Sequence, residues 1–332
     1  MPTVSPPRVS LAPFGADRGQ AEIAHPRGIA EALRLAVDLG QDGLVPGSGR
    51  TAELWETLAT LAAHDLGVAR AVEPHLDAVA ILEQANQPVS HAETWGVFAA
   101  EGGDSPLICV DGILRGTKPW CSLAGSLDRA LVTASGQLYS VSLDDPGIEV
   151  QQGAWHSRGL TEIPSGPVTF SHVAATPIGE PGWYLSRPGF AWGGIGVAAC
   201  WFGGAVGIAR TVFDAAVLRS TDPLMMMQLG AIDEAIGSAR RALAEAAALV
   251  DGGEATGREG GILAKRVRAT VARACEDVLA RAGHALGPAP LALDEVHGKR
   301  VADLTVYLRQ HHAERDEASL GSKILDSGEL PW

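Results

Sequence analysis

Apolar residues recur every three to four positions between residues 26 and 92, which is the spacing of an amphipathic helix. The segment RGIAEALRLAVDLG has one apolar face and ends at Gly40, a residue typical of helix C-termini. A second helix is predicted in TAELWETLATLAAHDLGVAR, with Thr51 as its N-cap. HLDAVAILEQAN is a third helical segment, and Pro74 starts or kinks it. The pattern predicts an N-terminal helical domain after a loose tail over residues 1–25.

Between residues 93 and 180 the pattern changes to short apolar runs that are separated by turn-forming residues. In LYSVSL, Tyr139, Val141 and Leu143 alternate with serines, as in a half-buried strand. The candidate strands are WGVFAA, LICV, ALVTAS, LYSVSL and PVTFSHV. This stretch is predicted to form a middle β-domain, as a small antiparallel barrel or sandwich.

Helical spacing returns between residues 181 and 332. Leu263, Val267 and Val271 belong to an apolar face that ends at Gly283, and long alanine-rich helices of this kind usually pack as a bundle. Near the end, RVADLTVYLRQHHAERDEASLG is predicted to form one amphipathic helix. The order of helices, strands and helices predicts an α+β multidomain fold.

Composition narrows the functional classes. The 332 residues carry a formal net charge of −13, which would repel a phosphate backbone, so nucleic-acid binding is not expected. The four cysteines form no C-x-x-C pair, which favours a reducing compartment over a zinc or disulfide framework. No apolar run reaches membrane length without glycine, arginine or aspartate. We therefore expect a cytoplasmic protein without a membrane segment.

Two short motifs have ordinary structural explanations. GGIGVA (residues 193–198) matches G-x-G-x-x-A, but no strand precedes it, so its small residues are interpreted as a close approach between two helices. HHAERDE contains the potential metal ligands His311, His312, Glu314 and Asp316. A solvated, ion-paired helix end explains that segment equally well, and no second ligand cluster accompanies it. No metal site is predicted.

Four segments together resemble the acyl-CoA dehydrogenase family. They are GTKPWCSLAG, SRGLTEIPSGPVTFSHVAATPIG, the helix GGAVGIARTVFD and the final RVADLTVYLRQHHAERD. The resemblance covers nearly the whole chain from about residue 26. It implies an N-terminal helical domain, a middle β-domain and a C-terminal four-helix bundle. It also implies FAD bound between the β-domain and the bundle, with part of the site supplied by a neighbouring subunit.

The family motif places a tryptophan and a hydroxyl residue beside the flavin, and these positions fall on Trp120 and Ser122. An indole can cover the isoalloxazine ring, while a hydroxyl can donate to its N5 atom. The segment VFAAE resembles the strand whose backbone meets the flavin, which implies contacts from Val97, Ala99 and Ala100. At the position where the family usually has a threonine, this chain has Ala100, so one hydrogen bond to the isoalloxazine ring is lost.

The chain departs from the family at the catalytic base. The resemblance implies a glutamate that removes an α-proton from the acyl thioester, and that position falls on Arg309. The alternative position in the family falls on Val197. Arginine cannot act as this base, because its pKa exceeds about 12 and it has no acceptor atom. His312, three residues further along the predicted helix, is the candidate for a relocated base.

A second departure concerns the cofactor. The family holds FAD across a subunit interface with an arginine and a later glutamine, which the resemblance places on Arg219 and, slightly early, on Gln228. The phenylalanine that the family has between them is missing.

Three functions remain open at this point. They are an acyl-CoA dehydrogenase with a missing or relocated base, a catalytically silent subunit of a heteromeric dehydrogenase, and a flavin-dependent oxidase or monooxygenase. The expected ligand is acyl-CoA or a related thioester. The expected partners are further copies of the chain, as a homodimer or homotetramer, or a complete dehydrogenase subunit. Self-association is expected because the Ala/Gly-rich face of GGIGVAACWFGGAVGIA is costly to expose.

Overall fold

A computed structural model describes residues 7–13, 25–102, 105–328, 330 and 332 of the chain. The helices are α1 (Ile29–Gln41), α2 (Thr51–His64), α3 (Leu66–Gln84), α4 (Trp183–Ser186), α5 (Pro188–Leu218), α6 (Pro223–Asp251), α7 (Gly257–Leu286), α8 (Pro288–Leu293), α9 (Glu295–Tyr307) and α10 (Glu314–Ser327). The strands are β1 (Trp95–Phe98), β2 (Ile108–Val110), β3 (Ile113–Lys118), β4 (Arg129–Ala134), β5 (Gln137–Ser142), β6 (Ile148–Val150), β7 (Val168–Ala174) and β8 (Thr176–Ile178). Helices, strands and helices follow in the predicted order, which confirms the α+β class.

The N-terminal helices differ from the prediction at their boundaries. The predicted second helix is interrupted at Asp65, whose backbone is extended. The Asp65 side chain caps α3 by accepting a hydrogen bond from the Gly67 N–H. Thr51 is the first residue of α2 rather than its cap. Pro74 lies inside α3 and does not begin it. Residues 7–13 of the predicted loose tail pack against α2, and residues 1–6 and 14–24 lie outside the described residues.

The strands form two four-stranded sheets with the orders β1-β4-β5-β8 and β2-β3-β7-β6. The prediction of an antiparallel domain is right for every pair of named strands except β1 and β4, which run parallel. The sequence pattern missed β3, β6 and β8. Two of these have only three residues, too few to establish an alternating pattern.

Helix α5 forms the centre of the C-terminal part, and α2 and α7 pack against it. At Gly203 an added Cβ would overlap the carbonyl oxygen of Ala59, and Gly207 meets Ala63 one turn later. The close helix approach predicted for GGIGVA is therefore found further along α5, whereas Gly193 and Gly196 of that motif meet side chains of Asp77 and Trp55. Helix α5 is long and apolar enough to span a membrane, but 72% of its most apolar window is buried inside the structure. Consequently the glycine-rich face is covered within the chain, and the stated reason for self-association was wrong.

The predicted single helix near the C-terminus is also wrong. Helix α9 ends at Tyr307, a 3-10 turn follows, and Ala313 has a positive φ of 45° before α10 begins at Glu314. Polar residues continue the helical pattern through this region, so periodicity alone did not reveal the break. The break changes which side chains face the interior.

Candidate functional site

Trp120 and Ser122 lie in a tight loop directly after β3. Trp120 has a φ of 59° and Leu123 a φ of 58°, so left-handed residues flank the serine on both sides. The Trp120 indole is 64% exposed and meets the edge of Trp155, with 6.4 Å between ring centroids and an interplanar angle of 86°. A large exposed aromatic face at a strained loop is a surface on which a planar ring can stack.

The Ser122 hydroxyl lies in an ordered hydrogen-bond chain. Ser165 donates to the carbonyl oxygen of Ile163 at 3.0 Å, so Ser122 donates to Ser165 at 2.7 Å. The Ser122 oxygen in turn accepts from the Arg70 guanidinium at 2.8 Å. To donate to a flavin atom, Ser122 would release Ser165 while keeping its bond from Arg70.

The strand end that carries Val97, Ala99 and Ala100 is held by a buried lysine. Lys118 is 1% exposed, and its ammonium donates to the Thr133 carbonyl oxygen at 2.6 Å and hydroxyl at 2.8 Å. It also donates to Glu101 at 3.0 Å. Since Glu101 follows Ala100 directly, this network fixes the backbone next to the Trp120 loop. Burial lowers the pKa of Lys118.

Helix α3 directs a row of charged side chains inward. Arg70 extends toward Ser122 and lies over the Tyr307 ring at 5.5 Å from its centroid. One turn later Glu73 is 8% exposed and makes no hydrogen bond to a described residue. Burial raises the pKa of Glu73 to about 8, with nearby Asp77 adding to the effect. Asp77 itself binds Arg187 at 3.2 Å.

The region that faces α3 is aromatic and basic. The Arg268 guanidinium lies 4.6 Å from the Trp201 ring centroid and donates to the carbonyl oxygen of Gly194 at 2.6 Å. The same tryptophan packs edge-on against Tyr307 and His311, with 6.3 Å between ring centroids in each case. The His311 side chain is only 9% exposed, and its Nε2 atom lies 4.0 Å from Asp316, beyond hydrogen-bond distance. Burial lowers the pKa of His311.

The two residues predicted at the base position lie outside this interior. Arg309 has a 60% exposed side chain and pairs with Glu276 of α7 at 2.7 Å. His312 is exposed, because the break after α9 prevents it from following Arg309 by a helical turn. Val197 is half-buried on α5. His311 is the histidine that faces inward, and no regular spacing in the sequence distinguishes it from His312.

The predicted FAD-binding pair is engaged within its own chain. Arg219 is bonded to Asp222 and donates to the carbonyl oxygen of Ala285 at 3.0 Å. Gln228 accepts from Arg281 at 3.3 Å. Both side chains are partly exposed, so the prediction that they hold a cofactor of a neighbouring subunit stays a prediction.

A carboxylate cluster that resembles a metal site already contains an ammonium group. Asp65, Glu162 and Asp303 lie close enough to share a cation. Lys299 donates to Asp65 at 2.9 Å and Asp303 at 2.6 Å and lies 2.7 Å from Glu162. Lys299 therefore joins the start of α3, the loop before β7 and helix α9, which places that loop beside Ser122.

Two cavities differ in size and position. A cleft of about 10 Å³ lies beside Arg70 and Ser122, bounded by α3, β1 and the loop after Ser122. A cavity of about 400 Å³ lies between the end of α6, the start of α7 and α10, lined by residues such as Leu249, Arg258 and Ile262. The small cleft has room for about one water molecule, and Arg70 is the inward-facing charge that lines it. The larger cavity shares no lining residue with it, so we favour the surroundings of the Trp120 loop and Arg70 as the site.

No protein-family model and no curated protein matches this chain. Among solved structures it is similar to TdsC from Paenibacillus sp. A11-2 in complex with FMN and indole, with a TM-score of 0.74, 19% identity and 92% of each chain covered. KijD3 in complex with FMN and a dTDP-amino-keto sugar has a TM-score of 0.74 at 17% identity, over 90% of this chain and 87% of KijD3. Nitrososynthase from Micromonospora carbonacea var. africana has a TM-score of 0.71 at 16% identity, over 92% and 94% of the two chains.

These similarities show that the chain has the fold of these three proteins, which is the acyl-CoA dehydrogenase fold. The resemblance drawn from the sequence is thereby confirmed at the level of fold.

Proposed function

We propose that the chain is a flavin-dependent oxidoreductase of the oxygen-using kind, an oxidase or monooxygenase, that acts on a polar substrate. The observation that carries this proposal is the inward-facing surface of α3, where the charged side chains Arg70, Glu73 and Asp77 would make burial of a hydrocarbon chain beside them costly. The solved structures of the same fold support the oxygen-using chemistry, since they include a dibenzothiophene monooxygenase and a nitrososynthase.

The residues of the Trp120 loop fit a flavin. Trp120 offers an exposed face, Ser122 offers a hydroxyl with an adjustable proton, and the end of β1 offers backbone groups. A bound flavin would supply the electron transfer between substrate and oxygen. The chain's contribution is to orient the ring, to place Arg70 beside Ser122 and to offer the neutral imidazole of His311 as a proton acceptor.

We propose FMN as the flavin, in place of the FAD that the family resemblance implies. Arg219 and Gln228 are bonded within their own chain, and TdsC and KijD3 are described with FMN. Chromatography of the flavin released from the purified protein distinguishes the two cofactors.

An acyl-CoA dehydrogenase with a relocated base is the second candidate, and one observation favours it. Glu73 is a buried carboxyl group with a pKa of about 8, which is suited to general base catalysis near neutral pH. Against it, Arg70 and Arg268 lie near that carboxyl and would surround an apolar acyl chain with charge.

Oxygen consumption separates the candidates. Reduced, flavin-loaded protein should consume oxygen rapidly without an electron-acceptor protein. Reduction of the bound flavin by a simple acyl-CoA under anaerobic conditions, together with slow reoxidation by oxygen, would instead support the dehydrogenase. A colourless protein that ignores added FMN and FAD would favour the silent subunit of a heteromeric dehydrogenase.

We further propose that the protein is cytoplasmic and forms a homodimer or homotetramer. All four cysteines are free thiols, as expected in a reducing compartment. Exposed apolar side chains gather where α5 ends and α6 begins, including Phe213, Val217, Leu218 and Leu224. Sedimentation of the purified chain tests self-association and distinguishes it from pairing with a complete dehydrogenase subunit.

A further inference from the structure

The segment over residues 155–166, between β6 and β7, connects the Trp120 loop to helix α9, and we call it the bridging segment. On the side of the loop, the Trp155 ring meets the Trp120 ring edge-on, and Ser165 shares a hydrogen bond with Ser122 at 2.7 Å. Two backbone hydrogen bonds continue this contact, from the Cys121 N–H to the Gly166 carbonyl oxygen at 3.1 Å and from the Leu123 N–H to the Pro164 carbonyl oxygen at 2.9 Å. The bridging segment therefore holds the Trp120 loop through both backbone and side chains.

The opposite side of the bridging segment lies directly on α9. An added Cβ at Gly159 would overlap the carbonyl oxygen of Ala302, so the absence of a side chain permits this approach. The next residue, Leu160, donates its N–H to the Asp303 carboxylate at 2.6 Å. The Leu160 carbonyl oxygen accepts from the Trp155 indole N–H at 2.9 Å. Asp303 is thus linked through a single residue to the indole that faces the Trp120 loop.

A lysine extends this anchor to a third element. Asp303 is 2% exposed, and its second oxygen accepts from the Lys299 ammonium at 2.6 Å. The same ammonium lies 2.7 Å from Glu162 of the bridging segment and 2.9 Å from Asp65, the N-cap of α3. The start of α3, the bridging segment and α9 therefore meet at one ion cluster.

We propose that Asp303 is a positioning residue for the Trp120 loop and acts through the bridging segment. The inference rests on the proposed function, since it assigns support to the loop that we propose binds the flavin. A carboxylate suits this role, because one oxygen binds the Leu160 N–H while the other binds an ammonium. A loop that is already held in place loses less conformational freedom when a planar ring stacks on Trp120.

Amide hydrogen exchange of the flavin-free protein tests the connection. In Asp303→Ala, residues 155–166 and 119–123 should exchange at least about tenfold faster than in the wild type, with α5 unchanged. Asp303→Asn keeps an acceptor for the backbone N–H and should restore part of the protection. Asp251→Ala is the matched control, since it removes a carboxylate that binds the Thr51 N–H at the start of α2, and it should leave both segments unchanged.

FMN affinity provides a second measurement. Asp303→Ala should bind FMN at least about fivefold more weakly than the wild type, which is the loss expected from one hydrogen bond. This loss should disappear when Trp120 is also replaced by alanine, because the ring contact that Asp303 positions is then gone. A residue with a merely structural role would weaken FMN binding equally in both backgrounds.

A milder variant serves if Asp303→Ala does not fold. Glu162→Gln weakens the same ion cluster from a partly exposed position and should show the same pattern at smaller size. Unchanged exchange in residues 119–123, or an equal loss of FMN affinity with and without Trp120, would overturn the inference.

These results are distinguishable from a failure of the proposed function. A chain that binds no flavin but shows faster exchange in both segments would lose the flavin assignment and keep the positioning role of Asp303. A flavin-binding chain whose exchange is unchanged in Asp303→Ala would do the reverse.

Discussion

Replacing Glu73 with glutamine should remove a large pH dependence of folding stability. The Glu73 carboxyl is 8% exposed, and burial raises its pKa from 4.5 to about 8. Between these pH values the native state keeps a proton that the unfolded state releases, so rising pH favours unfolding. The difference between the two pKa values corresponds to a loss of at most about 5 kcal/mol in the free energy of unfolding. Relaxation around the buried charge makes this loss smaller.

Urea unfolding of the wild type and Glu73→Gln from about pH 5 to about pH 8 measures the effect. Glutamine keeps the shape but does not titrate, so the variant should gain stability relative to the wild type by a few kcal/mol as the pH rises. Glu83→Gln, an exposed position on the same helix, is the matched control and should show no such trend. Parallel stability curves for the wild type and Glu73→Gln would refute the assignment of a buried, protonated carboxyl group.

Three further predictions concern the elements that position the site. Lys118→Met should destabilise the protein by about 2 kcal/mol in thermal or urea unfolding, because the hydrogen bonds of the buried ammonium group are lost. An unchanged unfolding midpoint would contradict the role of Lys118 in holding the end of β1. Gly203→Val should cost at least about 1–3 kcal/mol, because a Cβ there overlaps the Ala59 carbonyl, and a variant of wild-type stability would show that the helices can separate. Burial lowers the pKa of His75 to about 4, and the neutral Nδ1 atom accepts a hydrogen bond from the Trp95 N–H. Between about pH 6.5 and 4 the unfolded state therefore binds a proton that the native state does not. The free energy of unfolding of the wild type should fall by at most about 3 kcal/mol over this range. His75→Gln should lack that part of the acid sensitivity, and an identical acid profile would contradict it.

The fold was largely predictable because its long helices and longer strands bury continuous apolar faces. The helix boundaries were harder to predict, since a single residue can cap or break a helix without changing the apolar spacing. Asp65 does so between α2 and α3, and Ala313 does so before α10. The second break determined the site, because it turns His311 inward and His312 outward.

The inward-facing charges of α3 could not be identified as a group from the sequence. Arg70, Glu73 and Asp77 share one helix face, but charged residues at this spacing usually face solvent. Their burial depends on how α3 packs against α5 and α9, which local spacing does not encode. By contrast, the Trp120–Ser122 loop was identified by its resemblance to a family motif, and its exposed indole remains the predicted flavin contact.

The most direct test of the central claim is the affinity of the purified chain for FMN, followed by the quenching of flavin fluorescence. We expect one flavin per chain and at least about tenfold weaker binding by Trp120→Ala, because ring stacking is lost. Trp332→Ala, which changes an exposed tryptophan outside the proposed site and the proposed self-association surface, should bind FMN as the wild type does. A chain that binds neither FMN nor FAD, or a Trp120→Ala variant with unchanged affinity, would contradict the assignment of a flavin to this loop.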